Sequence, residues 1–309
     1  MREPDEHGVP QTETSPAALA TMSRIRVAFQ GELGAFSEEA VHRLWRGEAD
    51  PVPAPTFEAV MEMAETGKVD YGLLPIESTL VGGIDVTYDL LSLHDGLSVV
   101  AEVVVPVHLS LLGLPGASIA KIRSLSSHPV MLGQCSYFLD RHKHIRPQPT
   151  WDSAGAAREV AESGDPTRAA AGSRRAAERF GLTVLHEHLE DRPDSQMRFL
   201  ALSPEPKSVP RGIPARTSVL AIFAPGAGTL VAALQPMADA GYNICHLVSR
   251  PTREPWQYQF FVEFDHPSGD RKLSKTLTAI RAASAEFRIL GTYPRWPLPE
   301  ALREQRPPW

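Results

Sequence analysis

Strand-like apolar runs alternate with helical patterns along most of the chain, and this alternation restricts the fold more than any other feature. Ile25 to Phe29 is a short apolar run, Gly31 and Gly34 follow it, and Ser37-Glu38-Glu39-Ala40 begins a helical pattern. Val69 to Ile76 and the β-branched run Val99 to Val107 are typical of buried strands. This order predicts an α/β architecture with mainly parallel sheets.

The same alternation continues through the next hundred residues. We expect a helix from Val130 to Asp140 and another that begins at Asp152 or Ser153 and ends near Ser163. The strands predicted around them are Ile122 to Leu125, Ala169 to Ala171, Leu182 to Leu185 and Phe199 to Leu202.

A separate domain is predicted after a proline-rich linker, Ser203 to Pro214. Beyond the linker the pattern reads strand, helix, strand, strand, helix, strand, which is the ferredoxin-like βαββαβ order of an α+β domain. The expected divisions are a disordered tail (1–23), a first region (24–202), the linker (203–214), the βαββαβ domain (215–296) and a second tail (297–309).

Composition excludes several classes of function. The formal net charge is −6, whereas nucleic-acid binding needs a basic surface. Neither Cys135 nor Cys245 belongs to a CxxC motif, so a disulfide framework or a cysteine-bound zinc is not expected. No apolar run approaches the ~18 residues that cross a membrane, and the first 22 residues lack the features of a secretory signal. We therefore expect a cytoplasmic protein that binds neither nucleic acid nor membrane.

Five motifs follow one another along the chain. They are Phe29-Gln30-Gly31 with Gly34-Ala35-Phe36-Ser37-Glu38, Pro75-Ile76-Glu77-Ser78-Thr79, Ser127-His128-Pro129 with Gln134-Cys135, Ala171-Gly172-Ser173 with Ala176-Ala177, and Ser195-Gln196-Met197-Arg198-Phe199. In this order they resemble the motifs of the stand-alone prephenate dehydratases, from about residue 24 to residue 294. The C-terminal part resembles an ACT regulatory domain, with Ser249-Arg250-Pro251 at the end of that domain's Glu-Ser-Arg-Pro motif.

The resemblance implies two α/β lobes, similar to those of periplasmic binding proteins, with the substrate in the cleft between them. It implies decarboxylation and dehydration of prephenate to phenylpyruvate, without metal or organic cofactor. It also implies a homodimer or homotetramer that L-phenylalanine regulates through the ACT domain. The residues expected to bind this effector are Gly228, Leu230, Asn243, Ile244, Ser249 and Arg250.

Prephenate is a dianion, so its enzyme must bind anions and give a proton to the departing hydroxyl. The catalytic residues implied by the motifs are Ser78, Thr79, Ser127, Gln134, Met197 and Arg198. Substrate binding is assigned to Glu77, Ser127, Arg198 and Phe199. Arg198 is the candidate for a substrate carboxylate, because a guanidinium holds a carboxylate through two parallel hydrogen bonds.

Met197 departs from the family pattern, which reads Asn, any residue, Thr, Arg, Phe. Ser195 stands in the Asn place and Met197 in the Thr place, and a thioether has no proton to donate. The hydroxyls of Ser78 and Thr79 are substitute donors. Two alternatives stay open: decarboxylation of prephenate without loss of the hydroxyl, and a sensor that binds an aromatic amino acid without turnover. Arogenate is a further possible substrate.

Two other departures bear on ligands. Val248 replaces the Glu of the Glu-Ser-Arg-Pro motif, which removes a polar contact and predicts weaker or altered phenylalanine control. His186 and His188 alternate around Glu187 and would share one face of a strand, but the pair lacks a clear third ligand, so no metal site is predicted.

Overall fold

The computed structural model describes residues 24–298. The predicted tail 1–23 and nearly all of the tail 297–309 lie outside this range. Within it the chain forms two α/β lobes and a C-terminal domain. No helix of the described residues is long and apolar enough to span a bilayer.

Lobe 1 is a sheet of six strands in the order β2-β1-β3-β11-β5, with the short β4 paired to β3. Its strands are β1 Ile25–Gln30, β2 Ala49–Ala54, β3 Tyr71–Ser78, β4 Gly82–Gly83, β5 Ser98–Pro106 and β11 Gln196–Ser203. Its helices are α1 Phe36–Trp45, α2 Phe57–Glu65 and α3 Asp85–Leu93.

Lobe 2 lies between β5 and β11 in the chain and contains a five-stranded sheet in the order β10-β6-β9-β7-β8. Its strands are β6 Ser110–Gly113, β7 Ser124–Ser127, β8 Arg146–Pro149, β9 Arg168–Gly172 and β10 Thr183–His186. Its helices are α4 Pro129–Gly133, α5 Ser136–Arg141, α6 Ser153–Ser163 and α7 Arg174–Phe180, and Ile119–Lys121 forms one 3₁₀ turn.

The expected α/β class is confirmed, but the expectation of mainly parallel sheets is wrong. Strand β11 runs antiparallel to both β3 and β5, and β6 runs antiparallel to β9 and β10. The reason is that the chain leaves lobe 1 after β5 and returns as β11 in the opposite direction. Parallel pairing is confined to β1 with β2 and β3, and to β7 with β8 and β9.

The single helix predicted from Val130 to Asp140 is instead two helices. The carboxylate of Asp191 accepts hydrogen bonds from the backbone N–H groups of Ser136 (3.1 Å) and Tyr137 (2.9 Å). Because those N–H groups have no partner within a new helix, an external carboxylate favours a helix start at Ser136.

Two strands that the pattern did not predict contain proline. Strand β2 includes Pro51 and Pro53, and β8 includes Pro147 and Pro149. Both are edge strands of their sheets. An edge strand has no neighbour on its outer side, so a proline that lacks an N–H there interrupts no hydrogen bond between strands. Proline is therefore accommodated in these two edge strands, although the central strand β3 also contains one, Pro75, beside its bulge.

The C-terminal domain has the predicted βαββαβ order and an antiparallel sheet, β13-β14-β12-β15. No helix or strand lies in the described chain between Ser203 and Pro214. The elements are β12 Pro214–Ile222, α8 Thr229–Ala240, β13 Asn243–Pro251, β14 Tyr258–Pro267, α9 Lys272–Ala282 and β15 Glu286–Pro294.

The sheet of the C-terminal domain packs on lobe 1 through a shared apolar core. Phe261, Leu290 and Tyr293 of this domain are buried with residues of β3, β5 and β11. A fully buried large apolar side chain contributes about 1.5–3 kcal/mol. At the centre of the contact, Gly291 lies directly against the carbonyl of Val99, so closely that a methyl group at Gly291 would overlap it.

Replacing Gly291 with alanine should weaken this docking. The added methyl group meets backbone that cannot rotate away, so we expect a loss of about 1–3 kcal/mol in the free energy of unfolding, measured with denaturant. Proteolysis within residues 204–213 should also become faster. Gly133→Ala is the matched control, because a Cβ there has no neighbour within 4 Å. Equal stability of the two variants would contradict the packing argument.

Candidate active site

Two chain segments cross between the lobes and are hydrogen-bonded to each other. We call residues 107–109 and 187–195 the hinge. The N–H of Leu189 donates to the carbonyl of Leu109 (2.8 Å), and the N–H of Val107 donates to the carbonyl of Ser195 (2.8 Å). The lobes are therefore joined along one narrow line, and a cleft lies beside it.

The strand ends that adjoin the hinge face the cleft. In lobe 1 they are the carboxyl ends of β1, β3 and β5 and the amino end of β11. In lobe 2 they are the carboxyl ends of β7 and β9. Ligands of open α/β sheets bind outside the carboxyl ends of strands, so this geometry marks the cleft as the candidate active site.

Direct contacts hold the two lobes together across the cleft. Arg158 of α6 makes a two-point ion pair with Glu32, with N–O distances of 2.7 and 2.9 Å. The hydroxyl of Ser173 donates to the carbonyl of Gly34 (2.6 Å). Gly34 has φ +100°, and a side chain there would strike the backbone of Ala176. Glycine at this position thus permits the close approach of the lobes.

Ser78 and Met197 are directly opposite each other on β3 and β11. Side chains in such a pair have Cβ atoms about 4.5–5.5 Å apart. Next to them, Thr79 accepts a hydrogen bond from the N–H of Gln196 (3.0 Å), and its own hydroxyl lies 3.4 Å from two backbone carbonyls. The structure therefore brings together three of the predicted catalytic residues.

Gln134 and Ser127 belong to lobe 2. The side-chain carbonyl of Gln134 accepts a hydrogen bond from the hydroxyl of Ser195 (3.3 Å), which links lobe 2 to the start of β11. Ser127 is fully buried, and its hydroxyl donates to the carbonyl of Ala171 (2.7 Å). Since that proton is already engaged, direct contact between Ser127 and a substrate stays a prediction.

The other three predicted residues do not face the cleft. Successive side chains of a strand point to opposite faces, so Met197 and Arg198 lie on opposite faces of β11. Phe199 is fully buried in the core of lobe 1, which corrects its assignment to substrate binding. Arg198 lies with Leu200 on the face of β11 that meets the C-terminal domain, and a bulge at Ile76 of β3 turns Glu77 to the same face.

Arg198 is bound by three carboxylates, and we call these four residues the Arg198 network. Its Nε, Nη1 and Nη2 lie 2.6 Å from Glu77, 2.9 Å from Glu102 and 2.5 Å from Glu263. The Arg198 side chain is only 6% exposed. This guanidinium is therefore not placed to hold a substrate carboxylate, contrary to the sequence prediction.

Burial and pairing oppose each other in this network. Burial raises the pKa of Glu102, and Arg198 and Arg216 lower it only in part. Burial also raises the pKa of Glu263, but there the attraction of Arg198 prevails, so the pKa lies below its ordinary value. Glu263 belongs to β14, so the ion pair joins the two domains.

A cavity of about 270 Å³ opens at the cleft beside the hinge. Arg174 and Arg175, which follow Ser173 at the start of α7, line it together with His108 and His188. Arg174 pairs with Glu187, and the buried Nε of Arg175 has no hydrogen-bond partner among the described residues. Neither arginine is predicted from the sequence, although two adjacent cations directly after a serine that caps a helix indicate anion binding.

Glu190 is the buried carboxylate of the hinge. Burial raises its pKa, but hydrogen bonds from His108, from the N–H of Leu109 and from His188 lower it more strongly, so the pKa lies below its ordinary value. Glu190 is thus held as a carboxylate at the wall of the cleft.

The predicted effector-binding residues do not form one group within this chain. Leu230 lines a cavity of about 540 Å³ between the start of α8 and the β13–β14 connection, and Gly228 (φ +84°) precedes α8. Asn243 and Ile244 begin β13, whereas Ser249 and Arg250 lie about 20 Å further along that strand.

Arg250 and Val248 instead contribute to domain docking. Arg250 forms ion pairs with Asp89 (2.8 Å) and Asp85 (2.5 Å) of α3 in lobe 1. Val248 packs against the apolar core shared by the two domains. The loss of the family's Glu at position 248 therefore suits an apolar contact between domains.

Two lobes, a hinge and a cleft joined to a βαββαβ domain define a cleft-type α/β enzyme with an appended sheet domain. The prephenate dehydratase family model matches residues 27–207. The chain therefore belongs to the prephenate dehydratase family and is a carbon–oxygen lyase.

Similar proteins include two that are named dehydratases and one that is described by a different activity. Arogenate dehydratase 1 of Petunia hybrida is 33% identical over 300 residues, covering 92% of this chain and 70% of the relative. The structure of prephenate dehydratase from Arthrobacter aurescens in complex with L-Phe has a TM-score of 0.81 at 27% identity and covers 88% of this chain and 90% of its own. A protein described as GqqA, a novel type of quorum quenching acylase, also has a TM-score of 0.81, at 30% identity, and covers 88% and 98%.

Removing the guanidinium from the Arg198 network should be strongly destabilising. In Arg198→Met the buried carboxylate of Glu263 loses its ion-pair partner and Glu102 keeps only Arg216, so we expect a loss of about 3–5 kcal/mol in the free energy of unfolding. The control is Arg192→Met, since Arg192 and Asp194 form an exposed pair worth about 0–1 kcal/mol. Comparable denaturation curves for both variants would show that the network is not structural.

Proposed function

We propose that this chain converts prephenate to phenylpyruvate, carbon dioxide and water, and that L-phenylalanine regulates it through the C-terminal domain, acting as an ACT domain. The observation that carries the proposal is the position of Ser78 directly opposite Met197. A hydroxyl thus stands beside the place where the family's threonine is missing.

Ser78 is a better proton donor than Thr79. The oxygen of Ser78 accepts a hydrogen bond from the N–H of Leu80 (3.3 Å), and the described residues offer no acceptor for its proton. Thr79 is engaged with the backbone of Asp194 and Gln196. A water between Ser78 and the substrate would complete the path for the proton.

The reaction balances with one donated proton. The bond between the ring and its carboxylate breaks, and the electron pair moves into the ring as carbon dioxide leaves. The ring then expels the hydroxyl oxygen, which leaves as water after accepting the proton. General acid catalysis of this kind typically contributes about 10²–10⁴-fold.

Arg174 and Arg175 are suited to bind the two carboxylates of prephenate. They line the cleft cavity, and the buried Nε of Arg175 lacks a protein partner among the described residues. Arginine and carboxylate form short, charge-assisted hydrogen bonds. In this proposal these arginines take the role that the sequence assigned to Arg198.

Arogenate shares the ring carboxylate and the hydroxyl with prephenate, so it is the obvious competing substrate. Rates with both compounds under identical conditions decide the preference, which we propose to be for prephenate. Assembly as a homodimer or homotetramer and a cytoplasmic location belong to the same proposal and derive from the family resemblance.

Regulation is supported by the contacts between the C-terminal domain and lobe 1. Glu77 and Arg198 of the Arg198 network are the immediate neighbours of Ser78 and Met197 in the chain, and Glu263 binds Arg198 from the C-terminal domain. A shift of this domain would therefore move the strand ends at the cleft. The relative from Arthrobacter aurescens was solved with L-Phe.

Ser78→Ala should reduce the kcat for phenylpyruvate formation by about 10²–10⁴-fold, because it removes the proton donor. Thr79→Val and Met197→Thr should each change kcat little. The double variant Ser78→Ala/Met197→Thr should recover activity, since it returns a hydroxyl to the neighbouring strand. Phenylpyruvate absorbance measures all four.

Other results of this assay would change the assignment. Carbon dioxide release without phenylpyruvate would indicate a decarboxylase that retains the hydroxyl. Absence of turnover with binding of an aromatic amino acid would indicate a sensor. An unchanged rate in Ser78→Ala, with the wild type active, would show that the proton comes from another group.

Arg250→Ala should leave the affinity for L-phenylalanine unchanged and weaken its effect on activity, because Arg250 contacts α3 and does not line the cavity beside Leu230, which we propose as the effector site. Calorimetry measures the affinity, and the rate at saturating effector measures the coupling. The control is Arg253→Ala, which removes an exposed arginine three residues further along. A loss of affinity in Arg250→Ala would support the original sequence prediction for this residue.

A further inference from the structure

The two halves of the hinge place three metal-ligating side chains together. His108 comes from the first segment, and His188 and Glu190 come from the second. One donor atom from each residue lies within 4.8 Å of the other two. Among residues 24–298 this is the one such group of three.

From this cluster we propose that His108, His188 and Glu190 form a binding site for a divalent cation of the zinc class. Two imidazoles and one carboxylate are a common zinc ligand set and leave a fourth position open. The site rests on these three residues alone and does not depend on the proposed function.

The distances suit a small cation. Oε1 of Glu190 lies 2.9 Å from Nδ1 of His108 and 3.1 Å from Nδ1 of His188. Donor atoms in a tetrahedral zinc site, with bonds of about 2.0–2.2 Å, are about 3.3–3.5 Å apart. Each imidazole therefore needs to move from Glu190 by only a few tenths of an ångström, and the donor atoms of the two histidines lie within 4.8 Å of each other.

The charge of the site also favours a cation. The side chain of Glu190 is 1% exposed, and the ion-pairing groups that the structure describes around it are His108 and His188, which are cationic only when protonated. Buried carboxylates are normally paired with a cation or bound to a metal. A divalent ion would place a positive charge next to this buried carboxylate.

The surroundings provide both support and access. The second oxygen of Glu190 accepts a hydrogen bond from the N–H of Leu109 (2.8 Å), which fixes the carboxylate as outer contacts do in metal sites. The rings of His108 and His188 are 48% and 65% exposed, and both line the cleft cavity. The open coordination position would therefore face the cavity, where an anionic ligand can reach it.

The sequence predicted no metal site because it paired His188 with His186. In the structure the ring of His186 contacts Phe138 instead, with ring centroids 5.6 Å apart. His188 has φ +57°, an uncommon backbone conformation for a residue other than glycine, and its ring meets Glu190. His108 is 80 residues away in sequence, so spacing alone did not reveal it.

Zinc binding to the whole chain tests the site. The protein is first dialysed against a chelator, then titrated with zinc chloride in competition with a chromophoric chelator. We expect one zinc ion per chain, and an affinity at least about 100-fold lower in His188→Ala, because loss of an outer contact alone costs 10–100-fold. His186→Ala is the matched control and should bind zinc like the wild type.

Cobalt substitution and a second variant distinguish loss of the metal site from misfolding of the protein. Co²⁺ at this site should give visible absorption bands in the wild type and in His186→Ala, but not in His188→Ala or Glu190→Gln. Near-ultraviolet circular dichroism shows whether each variant keeps its fold. Failure of the folded wild type to bind zinc with a dissociation constant below about 10 µM, an affinity of about −7 kcal/mol, would overturn the proposal. Equal binding by His188→Ala and His186→Ala would also overturn it.

Discussion

The burial of one guanidinium, that of Arg198, determines how the catalytic region and the C-terminal domain fit together. Three carboxylates from β3, β5 and β14 surround it; without it the buried Glu263 would lose its ion pair and Glu102 would keep only Arg216. Moving charges out of water costs several kcal/mol per ion, so the arrangement is tolerated only when all partners are in place. The domain docking and the positions of β3 and β11 at the cleft therefore depend on the same residue.

Local pattern predicted much of the fold. The apolar runs and glycine signals of the sequence give the α/β class and the βαββαβ domain, and the ordered motifs indicate a two-lobed cleft region. The motifs also assign Ser78, Thr79 and Met197 to one site. In the structure these residues are close because they lie at the ends of the neighbouring strands β3 and β11. What the pattern could not give is strand direction, since β11 pairs with β3 across more than a hundred residues of intervening chain.

The errors at the site have a similar origin. A bulge at Ile76 turns Glu77 toward the C-terminal domain, and one extra residue in a strand cannot be read from the alternation of side chains. The sequence assigns Arg198 to the substrate because a guanidinium suits a carboxylate, whereas its partner Glu263 lies 65 residues away and outside the motif. The cluster of His108, His188 and Glu190 likewise depends on the two hinge segments meeting, which only the tertiary structure shows.

Lobe 2 is one continuous piece of chain inserted between β5 and β11, and the hydrogen bond between Leu109 and Leu189 brings its two ends side by side. Lobe 1, by contrast, is assembled from both sides of this insertion and carries the contacts to the C-terminal domain that are described above. Lobe 2 is thus a continuous insertion. A homologous segment with another cleft surface could replace it without changing the contacts between lobe 1 and the C-terminal domain, so the lobe 2 wall of the cleft and the docking of that domain are free to diverge independently.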